Sequence, residues 1–178
     1  MARDPTQWEY YARSLMLGAG ACRDAGTAAL ERMRVGGSSS DLGVNTVALY
    51  LLAQATEVLL KALAVQRTPE IVIDKRFYTH DMILTAREIA DVPLTDDEAR
   101  LLRKMRKMIE WAGRYPIPRW DSKREDWDIP DKRGRLGEHV IDASEFAWVF
   151  DWDHAFGLAS RLSALFAQRQ GFAARAAT

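Results

Sequence analysis

A carboxylate, an ammonium group and an imidazole stand out in this sequence: Glu57, Lys61 and His80. Glu57 and Lys61 lie four apart within VNTVALYLLAQATEVLLKALAVQ (44–66), acid first, the favourable order for an i, i+4 ion pair on a helix. Buried charges must pair and find further hydrogen bonds, because an unpaired buried charge is costly. Two readings therefore stand side by side: a structural ion pair that bonds loop backbone, or a polar pocket in which Lys61 holds an anion. His80 opens a later helical segment, where free backbone N–H groups also favour anions. A lone histidine in that place is more often a satisfied structural group than a catalyst. Arg114 follows a helix end with Tyr115 beside it. It is placed to bond the last carbonyls or a carboxylate such as Glu57, or to hold a ligand.

The other charged clusters are weaker. Arg100, Arg103, Lys104, Arg106 and Lys107 read as a solvated helix face. Joined to Arg114, Arg119, Lys123 and Arg124, with Tyr115, Trp120 and Trp127 for base stacking, they outline a nucleic-acid surface. Asp121, Glu125, Asp126 and Asp128 dilute it. On a helix, Asp151 and His154 share a face while Asp153 points away, and two ligands do not make a metal site. Cys22 reads as core packing. The chain has no phosphate loop, dinucleotide fingerprint or zinc spacing, so no metal or cofactor is expected.

The stretch that must position these groups is 44–66, apolar on nearly every side, as in a helix at the centre of a domain. Gln54, Glu57 and Lys61 form its one polar stripe. Before it, Asp4-Pro5-Thr6-Gln7 reads as a helix start, followed by Trp8, Tyr11, Ala12, Leu15, Ala19, Cys22, Ala29 and Met33 at helical spacing. Gly18, Gly20 and Gly26 weaken that helix or permit close packing. After the central helix, Ile71-Val72-Ile73 is a short loop over the core. Thr79 is placed to cap a helix that buries Met82, Ile83, Ala86, Ile89 and Ala90. Thr95 to Glu98 is a capping box, and Leu101, Leu102, Met105, Met108, Ile109 and Ala112 follow as the clearest amphipathic stripe in the chain.

Residues 113–141 have no period and read as a long loop, ordered by docking its aromatics. Asp142 or Ser144 is placed to cap a last helix striped by Trp152, Phe156, Ala159, Leu162 and Phe166. The pattern is all-α: an up-and-down bundle of about five helices in a single domain over 1–178, with its core at about 5–168.

Three stretches in order resemble the HEPN family of small helical-bundle proteins: ATEVLLKA (55–62), THDM (79–82) and WAGRYP (111–116). They look like that family's E-x-x-x-K, H-[DN]-[LM] and RYP landmarks, and the resemblance spans roughly residues 8–166. It implies one of two activities. Many members are metal-independent ribonucleases, often toxins of toxin–antitoxin or defence systems, which use an R-x(4–6)-H motif assembled across a dimer. Others bind nucleotides or partner proteins, commonly beside a nucleotidyltransferase. This sequence departs from the ribonuclease pattern: Arg119, Trp120 and Asp121 follow Arg114, the next histidine is the distant His139, and His154 has no arginine at the required spacing. The resemblance thus implies a non-catalytic module that binds a nucleotide, RNA or a partner such as a nucleotidyltransferase or antitoxin. Its site would be Glu57, Lys61, His80, Arg114 and Tyr115. The alternatives are a diverged ribonuclease using Arg114 with His80, and a structural module that assembles as a homodimer. A homodimer is expected on any of these readings.

Bulk properties limit the partners. Twenty-five basic and 25 acidic residues in 178 give no global attraction to nucleic acid or membrane. One cysteine allows no disulfide framework and fits a reducing cytoplasm. The N-terminus lacks the apolar run of a signal peptide. Although 44–66 is long enough to span a bilayer, Glu57 and Lys61 near its middle argue against membrane insertion. The expected location is the cytoplasm.

Overall fold

The computed structural model describes residues 3–34, 43–112 and 151–176. Within them the chain is an all-α bundle of five helices with no strand. Helix α1 runs Pro5–Arg34 and α2 Gly43–Arg67. Two 3₁₀ turns follow, Pro69–Ile73 and Lys75–Tyr78. Helix α3 opens as Met82–Leu84 and widens into a π-turn, Thr85–Ile89. Helix α4 is Asp96–Lys107, continued by a π-turn, Met108–Ala112. Helix α5 is Trp152–Ala176. Arg114, Tyr115, His139, the loop expected at 113–141 and the caps expected at Asp142 or Ser144 lie outside the described residues.

Helix α2 is central because its sequence leaves it no solvent face to prefer. It packs against α1, α4, α5, the first 3₁₀ turn and both π-turns. Leu52, Ala53, Leu59, Leu60, Ala62, Leu63 and Val65 on it are fully buried. All five helices contribute to that core, through Ala12 and Ala19, Met82 and Ala86, Leu102 and Met105, and Ala159 and Leu162 besides α2 itself. Its length and mean hydropathy of 1.5 meet the requirement for a membrane span, yet most of it is buried against the rest of the chain. A buried side chain of this kind contributes about 1.5–3 kcal/mol relative to exposure, so α2 supplies much of the apolar driving force.

The helix ends show how local signals translate. Asp4 Oδ1 accepts from Thr6 N at the start of α1. The capping box of α4 forms as its sequence predicts, with Thr95 and Glu98 bonding each other's backbone N–H. Thr79 does not cap α3. Asp81 does: its Oδ1 accepts from Leu84 N, and Thr79 Oγ1 accepts from Asp81 N. The helix starts at Met82, so the residue just before it holds the capping position. At α5, Asp151 Oδ1 accepts from His154 N, which places this acid as a cap rather than beside the imidazole.

Gly26 is where a glycine matters. It is buried, and a Cβ there would collide with the side-chain amide of Asn45 at the start of α2. The α1–α2 approach therefore uses its missing side chain. Tyr11, expected on the buried stripe of α1, is instead about half exposed, and so is much of Phe156 on α5. Ile71-Val72-Ile73, expected as a covering loop, forms a 3₁₀ turn that buries Val72 and exposes Ile73.

Candidate functional site

Glu57 and Lys61 face inward from the middle of α2, with side chains only 10% and 12% exposed. Lys61 Nζ donates to Glu57 Oε1 at 2.6 Å. The other carboxylate oxygen, Oε2, lies 3.0 Å from Nδ1 of His80. His80 reaches it after the two 3₁₀ turns and the extended Thr79, which connect the end of α2 to the start of α3. The i, i+4 pair expected from the sequence is thus present, and its further partner is an imidazole.

As a carboxylate, Glu57 only accepts, so the neutral ring of His80 carries its proton on Nδ1. Nε2 then keeps its lone pair. The imidazole side chain is 42% exposed, and Nε2 has no hydrogen-bond partner among the described residues. This is a ring held at one nitrogen and open at the other, the arrangement that lets a histidine accept a proton or hydrogen-bond a ligand.

Beneath this group, Phe77 is buried and the Lys61 ammonium sits 5.7 Å from its ring centre. Trp8 from α1 packs its ring at 88° to Phe77 with centroids 5.4 Å apart. These contacts satisfy Lys61 within the fold: its charge is matched by Glu57 and its stem lies on apolar surface. Of the polar stripe on α2, Gln54 takes no part, since its amide donates to Tyr50 Oη at 2.8 Å.

The start of α3 is tied separately. Asp81 Oδ2 receives Arg106 Nη1 at 3.1 Å, and Arg106 Nε donates to Glu110 Oε1 at 2.8 Å. Arg106, grouped by sequence with a solvated basic face, instead anchors the residue that follows His80. The sequence held one signal for this, the i, i+4 spacing of Arg106 and Glu110. Glu9 was a second omission. It is buried on α1, paired with Arg13 and receiving Ser163 Oγ from α5 at 3.3 Å.

The second 3₁₀ turn is capped by the residue before it. Asp74 accepts from Arg76 N at 2.8 Å and from its guanidinium at 2.7 Å. The side-chain bond from Arg76, then its backbone bond, hold the Asp74 carboxyl below the ordinary aspartate range.

The structure therefore brings together Glu57, Lys61 and His80 from the expected site, while Arg114 and Tyr115 lie outside the described residues. No group of three or more potential metal ligands occurs among the described residues. Comparison with protein-family models, with curated proteins and with solved structures gives no match.

Proposed function

We propose that this chain is a HEPN-like module of the cytoplasm that binds a nucleotide or RNA without cleaving it, as a homodimer, in a toxin–antitoxin or defence setting. The observation that carries this reading is His80, fixed through Nδ1 by a buried carboxylate and open at Nε2. A pre-oriented donor or acceptor loses little freedom on binding, which favours recognition. Glu57 and Lys61 are the neutral floor of the site rather than its ligand-contacting groups. Arg114 and Tyr115, from the RYP-like stretch, are the further contacts the resemblance supplies.

Calorimetric titration of single-stranded RNA and of mononucleotides tests this. Binding that weakens tenfold or more in His80→Ala, with helicity retained by circular dichroism, is the expected result. Absence of binding by the wild-type protein to either ligand would sink the reading.

One feature favours a second reading, that of a diverged metal-independent ribonuclease. A carboxylate bonded to Nδ1 is what a histidine needs to act as a base through Nε2. In that case Arg114, or a group from the partner subunit, would have to supply positive charge to the phosphate. RNA cleavage by purified protein that disappears in His80→Ala would replace the binding reading with this one.

A further inference from the structure

Tyr78 is the most conspicuous aromatic ring on the surface near His80. It is 67% exposed, yet it is not free to move. Its hydroxyl donates to the Val72 carbonyl at 2.6 Å. Its ring meets Phe77 at 89° with centroids 5.7 Å apart, and Phe77 is itself wedged against Trp8. The polar end is satisfied and the ring is packed against Phe77, so an anchored ring is left largely facing solvent.

Its neighbours are polar and lie on defined sides. Lys75 and Tyr78 are the first and last residues of one 3₁₀ turn, and side chains three apart in such a turn eclipse one another. Lys75 therefore leaves the turn on the same side as Tyr78. It is exposed and makes no ion pair among the described residues. On the other side, only the extended Thr79 (φ −77°, ψ 155°) separates Tyr78 from His80. Their Cα atoms are then at most about 7 Å apart. An exposed lysine, an anchored ring and a half-exposed imidazole thus fall within one short segment, residues 75–80.

We infer that Tyr78 is a stacking platform for a nucleobase, with Lys75 placed for the phosphate and His80 Nε2 for a polar edge of the same nucleotide. This rests on the proposed nucleotide- or RNA-binding reading and names the group that reads the base. A flat aromatic face beside a cation suits a nucleotide better than an apolar peptide surface, which would need neighbouring pockets rather than charges. The same chemistry is offered by a free nucleotide and by a base within single-stranded RNA.

The test uses AMP, a short fluorescein-labelled oligoadenylate and the same oligonucleotide with its bases removed, titrated against wild type, Tyr78→Ala, Tyr78→Trp and His80→Ala. Tyr78→Ala should weaken oligoadenylate binding about 5- to 150-fold, the range of one lost stack. Tyr78→Trp should restore it. The abasic strand should bind wild type more weakly, and Tyr78→Ala should lower its affinity no further. If AMP shows the same dependence on Tyr78, a free nucleotide suffices; if only the oligonucleotide does, RNA is the ligand. Wild-type affinity in Tyr78→Ala overturns the platform, and if His80→Ala still loses binding then the site itself stands. A Tyr78→Ala protein that binds normally but changes its oligomeric mass also overturns it and makes the ring a protein contact. Absence of any wild-type binding overturns both the platform and the function it rests on.

Discussion

The two ends of α3 are built from different kinds of charge. At its start, Glu57, His80, Asp81 and Arg106 bond mainly side chain to side chain, and His80 remains half open to solvent. At its end, arginines bond backbone carbonyls: Arg67 to Ile89, Arg169 to Ala90 and Asp91, and Arg161 to Pro93. Guanidinium groups stay charged at any working pH and satisfy carbonyls left free at a helix end. The start of α3 pairs side chains with one another and leaves the second ring nitrogen of His80 without a partner among the described residues. The difference separates an end closed by backbone contacts from one that leaves a side chain open to solvent.

The sharpest way to break this contrast is Glu57→Leu. It strands the Lys61 ammonium in a nearly dry position and should destabilise the fold by about 3–5 kcal/mol in urea unfolding. The double change Glu57→Leu with Lys61→Met should recover most of that loss, because well-packed apolar residues replace buried ion pairs at little cost. Ligand binding should not return with it, since His80 has lost its anchor. Recovery of binding in the double variant would show that Glu57 does not orient the ring.

Arg169→Ala attacks the other end. It removes two charge-assisted bonds to backbone and should cost about 2 kcal/mol, with ligand titrations unchanged. His80→Ala should reverse that pattern, costing no more than about 1 kcal/mol of stability while binding falls at least tenfold. Should both variants lose stability and neither lose affinity, the two ends would be equally architectural.

Much of this organisation could be read directly from residue spacing, and some could not. The apolar run of α2, the capping box at Thr95 and the pair Glu57–Lys61 depend on residues within four positions of one another, and all are present. The His80–Glu57 bond spans 23 positions and the Arg106–Asp81 bond 25. No local period encodes such contacts; they follow from where the 3₁₀ turns deliver the chain. Arg106 illustrates the limit. On a helix its basic neighbours make it look solvated, and only the placement of α3 turns it toward Asp81.

The end of α3 offers a smaller effect of opposite sign. Asp91 has φ 54°, in the left-handed region, after a π-turn closed by Ala90 N to Thr85 O at 2.8 Å and Val92 N to Ala86 O at 2.7 Å. Asp91→Gly should stabilise the protein by up to about 1 kcal/mol, since glycine adopts that conformation without strain. Loss of the exposed Arg67–Asp91 pair offsets little of this. A rise in thermal midpoint with unaltered binding would confirm the architectural role.

The smallest effect lies in the turn that leads to His80. The Asp74 carboxyl is held below its ordinary range by Arg76, so its contribution is present above the unfolded-state value and is lost as pH falls through the folded one. In an NMR titration, Arg76→Gln should move the Asp74 midpoint upward. An unchanged midpoint would mean that the guanidinium does not stabilise the carboxylate.

Phe77 is touched by Trp8, by Tyr78 and by the Lys61 ammonium at once. Substitutions at Trp8, Tyr78 and Lys61 therefore share one partner, and their energies should not add. A mutational scan that scores each position singly would overcount them, and a tolerated change at Trp8 should alter which changes Tyr78 tolerates. Phe77 thus links a ring of α1, a buried cation of α2 and an exposed tyrosine into one energetic unit.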